Sequence, residues 1–289
     1  MPKTILITGA SGFLGFHFLK LQHPDVLFYG IGRKNLSSFI PHYESLDLTN
    51  AKAYIKYFNT VKPDAVFHFA ALADLGYCEK NKEESFKLNV EATILIANLA
   101  AEKNIPLVFS STDMVFDGEK GNYTEKDQAN PINRYGEHKL IAEEKTNEIY
   151  PNTLIARLPL MFGELVANER NHFASLISSL KANQPTQCFA DEYRTIASAY
   201  TVAEGIMAIF SRAKGIHHLG GAERLSRLDF ALKVANHYKF DQSLLLPSSQ
   251  KSINFGYKRP ADVSMVSQKA ISLGFKQILV DEEINKINL

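Results

Sequence analysis

Cysteine is scarce in this chain of 289 residues, where only Cys78 and Cys188 occur. Two cysteines are too few for a disulfide framework, and their separation does not give the Cys-x-x-Cys pair of zinc or redox sites. The nine histidines include no His-x-x-x-His spacing, and the adjacent His217 and His218 would point to opposite faces of a strand. We therefore expect two buried thiols and no metal site.

Long apolar runs and an excess of charge of one sign are also missing. The longest uncharged apolar stretches, such as 92–101, fall short of the roughly 18 residues that a membrane-spanning helix needs. Lysine and arginine total 32 against 31 aspartate and glutamate residues, a formal net charge of +1, so the overall balance does not favour nucleic acid or anionic lipid. No apolar signal segment precedes the first strand pattern. We expect a cytoplasmic protein that binds neither nucleic acid nor membrane.

The hydrophobic pattern alternates between short β-branched or aromatic runs and longer segments of helical period. This order predicts βαβ units around a parallel sheet. The predicted strands are Thr4–Thr8, Val26–Gly32, Ala65–Ala70, Pro106–Ser111, Thr153–Leu158 and Ile216–Leu219. The predicted helices are 12–22, 51–59, 84–103, 134–149, 202–213 and 225–235. The fold class expected is α/β, a doubly wound parallel sheet of the Rossmann type whose ligand lies at the carboxyl ends of the strands.

The regular alternation weakens after about Leu160, which indicates a smaller C-terminal lobe. We expect a dinucleotide-binding domain over 1–160 and a substrate-binding lobe over 161–289. Residues from about 198 to 220 are expected to return to the first domain, because they again contain a helical and a strand pattern.

A glycine-rich turn follows the first predicted strand, with Gly9, Gly12 and Gly15 spaced as Gly-x-x-Gly-x-x-Gly before a helix. Glycine lets a pyrophosphate approach the backbone, and the amides and dipole of a helix N-terminus favour negative charge. The turn therefore predicts dinucleotide binding, although such a turn can also serve only to close the strand onto the helix.

The second strand is followed by Arg33 and Lys34 rather than by a carboxylate. A carboxylate at this point accepts from the ribose hydroxyl of NAD, whereas an arginine accommodates the 2′-phosphate of NADP. We therefore predict a preference for NADPH, with Arg33 as the first contact and Lys34 as the second, and NADH remains an alternative. The other interpretation is a solvated basic loop.

Tyr135 and Lys139 are four residues apart in a predicted helix, so they share one face. A neighbouring ammonium would lower the pKa of the phenol towards neutrality and make it a general acid for carbonyl reduction. Chance can supply such a spacing. The location adds weight, because Ser110, Ser111 and Thr112 end a buried strand at the predicted ligand edge, where hydroxyls can position both substrate and phenol.

At these residues the sequence resembles an extended short-chain dehydrogenase/reductase and, within that group, the dTDP-4-dehydrorhamnose reductase family. The most specific motif is the run Ser-Thr-Asp-Met-Val-Phe-Asp-Gly at 111–118. The resemblance is also carried by the glycine turn, 69–71, Cys78-Glu79, Asn89-Val90, Pro131, 135–143, 157–163 and Arg259-Pro260. It covers nearly the whole chain.

The resemblance implies Thr112 as the catalytic hydroxyl, Tyr135 as the acid and Lys139 as its activating cation, which would also bind the nicotinamide ribose. Asp47 and Leu48 are expected near the adenine. The remaining implied cofactor contacts are Gly9, Ser11, Gly12, Phe13, Leu14, Gly15, Phe69, Ala70, Ala71, Asn89, Ser110, Ser111 and Leu158.

This sequence departs from the family's pattern at two motifs. Met114 stands where the Ser-Thr-Asp-Tyr run has tyrosine, and residues 191–198 match only loosely. A nucleotide-linked sugar needs cationic or amide contacts for its diphosphate. The candidates in the smaller lobe are Arg170, Asn171, His172, Arg194 and Arg259.

The function expected is NADPH-dependent reduction of a 4-keto nucleotide sugar, with a homodimer left open. An epimerase or dehydratase of the same fold is the nearest alternative, although Asp113-Met114 lacks the Asp-Glu pair typical of dehydratases. A third alternative is a non-catalytic NADP-binding regulatory subunit, since the methionine adenosyltransferase regulatory subunit also resembles this family.

Overall fold

A seven-stranded parallel sheet forms the centre of the protein. The computed structural model describes residues 3–21, 23–34, 41–164 and 171–289. The strands of the sheet, in chain order, are β1 (Lys3–Thr8), β2 (Val26–Gly32), β3 (Tyr43–Ser45), β4 (Ala65–His68), β5 (Leu107–Thr112), β6 (Leu154–Leu158) and β11 (Gly215–His218). They are arranged as β11-β6-β5-β4-β1-β2-β3, and every pairing is parallel. The predicted doubly wound fold is confirmed.

Helices cover both faces of this sheet. Their bounds are α1 (Phe13–Lys20), α2 (Ala51–Val61), α3 (Leu75–Lys80), α4 (Lys82–Phe86), α5 (Ala92–Lys103), α6 (Arg134–Ile149) and α8 (Ala199–Ile209). Ile5 and Ile7 pack with α1 and α8 on one face, whereas Leu6 packs with α2 and α5 on the other. This alternation of side chains is what a central strand buried on both faces requires.

The smaller lobe has its own apolar core. The lobe contains α7 (His172–Lys181), α9 (Arg227–Tyr238), α11 (Val280–Ile284) and the short strands β7 (Met161–Phe162), β8 (Thr186–Phe189), β9 (Tyr193–Arg194), β10 (Ala197–Ser198), β12 (Leu225–Ser226) and β13 (Leu245–Ser248). Helix α10 (Gln268–Ile271) packs instead against β11, with Ala270 in the core of the central sheet. Phe162, Phe173 and Phe230 lie at the centre of this core. The last helix is tied back to α8, because Glu283 accepts hydrogen bonds from the amide of Ser198 at 3.1 Å.

Several element bounds differ from the sequence-based expectation. The helix predicted over 12–22 extends from Phe13 to Lys20, and Gln22 lies outside the described residues. The helix predicted over 84–103 begins at Lys82 and contains a π-helical turn, Lys87–Glu91, between α4 and α5. Helices α3, α7, α10 and α11 were not predicted. Three of them, α3, α10 and α11, have only four to six residues, and such short helices form only where they pack against neighbouring elements.

Candidate functional site

The glycine-rich turn follows β1 at the point where the strand order of the sheet reverses, between β1 and β4. Gly9 has a positive φ of 72°, and a Cβ atom there would lie 2.6 Å from the amide nitrogen of Ala70. A Cβ atom on Gly15 would lie 2.3 Å from the carbonyl oxygen of Gly9. Only glycine fits at both positions, so the turn can bring its backbone amides close to a ligand.

A cleft with a volume of about 540 Å³ opens above this turn. Ten of the residues predicted to bind a cofactor line it: Gly9, Ser11, Gly12, Arg33, Lys34, Asp47, Leu48, Phe69, Ala70 and Ala71. The side chains of Arg33, Lys34 and Asp47 are exposed. The cleft therefore joins the backbone of the glycine turn to a pair of basic side chains.

A second cleft, also of about 540 Å³, continues from the first, because Gly12, Phe69 and Ala71 line both. It runs between the carboxyl ends of the strands and the smaller lobe. The predicted residues that line it, besides those shared, are Phe13, Leu14, Ser110, Ser111, Thr112, Tyr135, Leu158, Asn171, Arg194 and Arg259.

Thr112 and Tyr135 meet in this second cleft. Thr112 ends β5, where its hydroxyl accepts a hydrogen bond from the amide of Met114 at 3.2 Å and is hydrogen-bonded to the Tyr135 phenol. Tyr135 lies in the first turn of α6, whose N-cap is Asn133. The end of a strand and the beginning of a helix thus place two hydroxyl groups side by side.

Lys139 lies one helical turn further along α6, behind the cleft. Its side chain is 1% exposed, and its Nζ lies 4.1 Å from the centre of the Phe109 ring. Within the part of the chain that the structure describes, this Nζ has no hydrogen-bond partner. Burial lowers the pKa of Lys139 to about 7, although Glu143 acts in the opposite direction.

The predicted lowering of the Tyr135 pKa is wrong. Burial raises the pKa of Tyr135 above its ordinary value of 10, and the nearby Asp113 carboxyl raises it further, while the hydrogen bond with Thr112 lowers it. The spacing of four residues in the sequence indicated proximity to Lys139, but desolvation of the phenolate is the larger effect here. Tyr135 therefore keeps its proton at neutral pH.

Three arginines converge on one buried carboxylate in the wall of the cleft. Glu192 is 1% exposed and pairs with Arg194 at 3.2 Å, with Arg227 at 3.1 Å and with Arg259 at 2.7 Å. Burial raises the pKa of Glu192, but the three guanidinium groups together bring it below its usual value. Arg227 and Arg259 remain partly exposed, at 16% and 15%, and both line the cleft.

Asp113 connects this arginine cluster to the hydroxyl pair. Its Oδ2 lies 3.5 Å from Nε of Arg194, and its Oδ1 accepts a hydrogen bond from the Thr112 hydroxyl at 3.2 Å. Burial raises the pKa of Asp113 to about 6, and Arg194 opposes that rise. Asp113, Glu192 and Arg227 were not among the predicted site residues; only Asp113 had a signal, since it lies in the Ser-Thr-Asp run.

Several predicted site residues lie apart from the two clefts. Asn89 is fully buried in the π-helical turn, where it accepts from the amide of Leu72 and donates to its carbonyl oxygen. Gly15 packs beneath the turn. His172 contacts Arg227 behind the cleft wall, and Arg170 lies outside the described residues. Asn171 lines the cleft, but its side-chain oxygen caps α7.

Metal ligands do not cluster in the described ranges, where no group of three or more His, Cys, Asp or Glu side chains could hold a metal ion. None of the helices in those ranges combines the length and apolar character that a bilayer span requires.

Comparison with known proteins places the chain near sugar-nucleotide reductases. The family model of the RmlD substrate binding domain matches residues 3–284. The chain is 27% identical over 281 residues to methionine adenosyltransferase 2 subunit beta of Danio rerio, covering 94% of this chain and 85% of that one. A crystal structure of a hypothetical dTDP-4-dehydrorhamnose reductase from Sulfolobus tokodaii is 30% identical, with a TM-score of 0.84 and full coverage of both chains. The dTDP-4-dehydrorhamnose reductase of Bacillus anthracis, solved in complex with NADP, is 22% identical, with a TM-score of 0.88 and coverage of 99% and 98%.

Proposed function

The chain belongs to the family of the RmlD substrate binding domain, and on that premise we propose that it is an NADPH-dependent reductase of a 4-keto nucleotide sugar. Tyr135 would deliver a proton to the keto oxygen as a hydride reaches the keto carbon. The observation that carries this proposal is the meeting of Thr112 and Tyr135 in a cleft that continues from the glycine turn.

The residues of the two clefts, with Lys139 behind them, fit a dinucleotide. The backbone cradle at Gly9 leaves no room for a side chain, and β1 and the following helix bring amides to it. The hydroxyl of Ser111 and the ammonium of Lys139 are buried without partners among the described residues, as expected of groups that await a ligand. When bound, NADPH would supply the hydride. Lys139 and Ser111 would hydrogen-bond its polar groups.

Arg33 supports NADPH over NADH, because its exposed side chain lines the cleft beside Gly32. A guanidinium group binds a phosphate monoester with two parallel hydrogen bonds. No carboxylate occupies Arg33's place at the end of β2. Asp47 lies across the same cleft, where its carboxylate accepts from Thr49, so a role near the adenine remains a proposal.

The raised pKa of Tyr135 suits the reductive direction. A phenol that keeps its proton at neutral pH is available to donate as negative charge develops on the keto oxygen. Thr112 can donate to the same oxygen from the end of β5, since its hydroxyl lines the same cleft as the phenol and interacts with it. When both hydroxyl hydrogens point at the developing oxyanion, the two donors stabilise it more than they stabilise the ketone.

Arg227 and Arg259 support an anionic substrate. Both line the second cleft, and Glu192 holds them in fixed positions without neutralising both charges. A diphosphate would bridge them, which is consistent with a nucleotide-linked sugar whose sugar ring extends towards Tyr135. Arg194 lines the same cleft, but its guanidinium is paired with both Asp113 and Glu192.

Turnover measurements test this proposal. Purified protein is expected to oxidise NADPH in the presence of a dTDP-4-keto-6-deoxy sugar, and Tyr135→Phe should abolish that oxidation while leaving NADPH binding intact. Tyr54→Phe is the matched control, because Tyr54 is also buried but packs against the opposite part of the sheet. Equal rates for Tyr135→Phe and wild type would contradict the proposed role of the phenol.

A regulatory subunit is the second candidate. The observation in its favour is the likeness to methionine adenosyltransferase 2 subunit beta, which spans 94% of this chain. Such a protein would bind NADP and a larger synthetase. Co-purification with a methionine adenosyltransferase, together with no NADPH oxidation on any keto sugar tested, would favour this function over the reductase.

A further inference from the structure

The hydroxyl of Thr112 has more neighbours than it can satisfy in one arrangement. A threonine hydroxyl carries one hydrogen and two acceptor positions. Its neighbours here are the amide of Met114 at 3.2 Å, Oδ1 of Asp113 at 3.2 Å and the phenol of Tyr135. The Met114 amide can only donate, so it always takes one acceptor position. The remaining acceptor position and the single hydrogen are shared between Asp113 and Tyr135.

When Asp113 is ionised, it determines where the hydrogen of Thr112 points and which group can use its last acceptor position. A carboxylate can only accept, so the hydrogen of Thr112 must point at Oδ1. The last acceptor position of Thr112 is then open to the hydrogen of Tyr135. In this arrangement the hydrogens of both hydroxyl groups are directed at protein atoms and neither is directed at a keto oxygen in the cleft.

A protonated Asp113 reverses both hydrogen bonds. Oδ2 has no hydrogen-bond partner among the described residues, and the guanidinium that faces it at 3.5 Å can only donate. Oδ1 has the Thr112 hydroxyl as an acceptor, so the added proton belongs on Oδ1. The Oδ1 hydroxyl then donates to Thr112 and fills its second acceptor position. The hydrogen of Thr112 becomes free, and Tyr135 no longer has an acceptor in Thr112.

We propose that Asp113 is a positioning residue whose protonation releases the hydroxyl hydrogens of Thr112 and Tyr135 together towards the keto oxygen of the substrate. This inference rests on the proposed reductase function and adds a controlling residue to it. Asp113 does not exchange a proton with the substrate; it changes the direction in which two other donors point.

Electrostatics act in the same direction as the geometry. The groups that face Asp113 are Tyr135 from α6, Arg194 from β9 and Glu192 beside Arg194. Burial raises the pKa of Asp113 to about 6, so the carboxyl changes state in a range where the protein can be assayed. The charge of ionised Asp113 also raises the pKa of Tyr135, so protonation of Asp113 makes the phenol a stronger acid.

The pH dependence of kcat tests the inference with Asp113→Asn. An amide in place of the carboxyl can donate to Thr112 at every pH, with its oxygen towards Arg194, and so mimics the protonated state. For wild type we expect kcat to fall about tenfold or more from pH 5 to pH 8 with a midpoint near 6, because one oxyanion donor is worth 10²–10³ in rate. For Asp113→Asn we expect that limb to be absent and kcat at pH 8 to exceed that of wild type.

The control is Glu283→Gln, which removes another buried carboxyl whose pKa burial also raises. Glu283 lies outside both clefts and accepts from the amide of Ser198, so the wild-type limb should persist in this variant. Deprotonation of Lys139, whose pKa is about 7, would add a second change in kcat near pH 7, and that change should persist in Asp113→Asn. A merely structural Asp113 would lower kcat equally at all pH values, and that result, or a limb near 6 that persists in Asp113→Asn, would overturn the inference.

A measurement without substrate separates this inference from the reductase proposal. In protein labelled with ¹³C at the tyrosine Cζ, the Tyr135 resonance, identified by its loss in Tyr135→Phe, should shift with a midpoint near pH 6 in wild type. The same resonance should not shift in Asp113→Asn. If no keto sugar is reduced but this coupled shift is present, the reductase proposal fails and the hydrogen-bond switch stands. If the resonance is unaffected near pH 6, the switch is wrong whatever the turnover.

Discussion

Glu143 and Arg157 form a buried, two-pronged ion pair that joins α6 to β6. Nε of Arg157 lies 3.0 Å from Oε1 of Glu143, and Nη2 lies 2.7 Å from Oε2. The two side chains are 2% and 3% exposed. Because α6 carries Tyr135 and Lys139, and β6 ends at Leu158 in the cleft, this pair fixes the helix of the proposed acid against the sheet.

Removing one partner of this pair should be strongly destabilising. Glu143→Ala would leave the Arg157 guanidinium buried without a counter-charge, and we expect a loss of about 3–5 kcal/mol in the free energy of unfolding. Chemical denaturation measures it. Glu144→Ala, at the exposed neighbouring position, should change stability by about 0.5 kcal/mol or less. Similar losses for the two variants would show that the ion pair contributes little.

Alanine at Gly9 should impair both folding and cofactor binding. A Cβ atom there meets the Ala70 backbone at 2.6 Å in addition to the strain of a φ of 72°. Gly215 has a φ of 70°, and no atom beyond its chain neighbours lies within 4 Å of the place that a Cβ atom would take there. Gly215→Ala therefore isolates the backbone strain, about 1–2 kcal/mol.

We expect Gly9→Ala to be more destabilising than Gly215→Ala in thermal unfolding, because the clash adds to the strain. We also expect only Gly9→Ala to lose NADPH affinity in a fluorescence titration. Unchanged NADPH affinity in Gly9→Ala would argue that the turn does not cradle the cofactor.

Lys139→Met should stabilise the protein below pH 7 while it abolishes turnover. The folded-state pKa of Lys139 is about 7, against an ordinary value of 10.5. Between these values the unfolded chain binds more protons, so the burial penalty is greatest at and below pH 7 and shrinks as the pH rises. The gain in melting temperature should therefore be larger at pH 6 than at pH 9.

Lys145→Met is the control for the Lys139 prediction, because Lys145 lies on the same helix with its side chain 49% exposed. Its stability should differ little from wild type at either pH. A gain for Lys139→Met that is equal at pH 6 and pH 9 would mean that lost charge burial is not its cause.

Arg33→Ala should weaken NADPH binding and leave NADH binding unchanged. Hydrogen bonds to a charged group are worth about 1.5–3 kcal/mol, which corresponds to roughly tenfold to a hundredfold in the dissociation constant. Isothermal titration with each cofactor measures the difference. Arg212→Ala, an exposed arginine outside both clefts, should bind both cofactors as wild type does. Equal NADPH affinity in Arg33→Ala and wild type would favour the solvated-loop interpretation.

The strands of the central sheet could be predicted closely from the sequence. Val26–Gly32 and the helix 134–149 have the predicted bounds, because continuous apolar runs and long helical periods are local signals. The edge strand Tyr43–Ser45 and the strands β8 and β13 of the smaller lobe were missed. These segments are only three or four residues long, and pairing with a neighbour, rather than their own pattern, makes them strands.

Part of the candidate site could also be predicted from the sequence, because several of its residues belong to short motifs. Motifs within a few residues of one another, such as 9–15 and 111–118, indicated which side chains reach the clefts. Glu192 and Arg227 lie 35 positions apart and are joined at 3.1 Å, and no local pattern marks such a contact. The reversed pKa of Tyr135 was missed because spacing along a helix gives proximity but not the degree of burial.

The sequence by itself determined the order of strands and helices, the glycine turn, and the helical register that sets Tyr135 and Lys139 on one face, because each depends on residues near one another in the chain. Only the tertiary structure decided the ionisation of the site. Burial of Tyr135, Lys139 and Asp113, and the gathering of three arginines on Glu192, depend on which distant segments exclude water and bring charges together, and those electrostatic effects outweigh what the local spacing indicates.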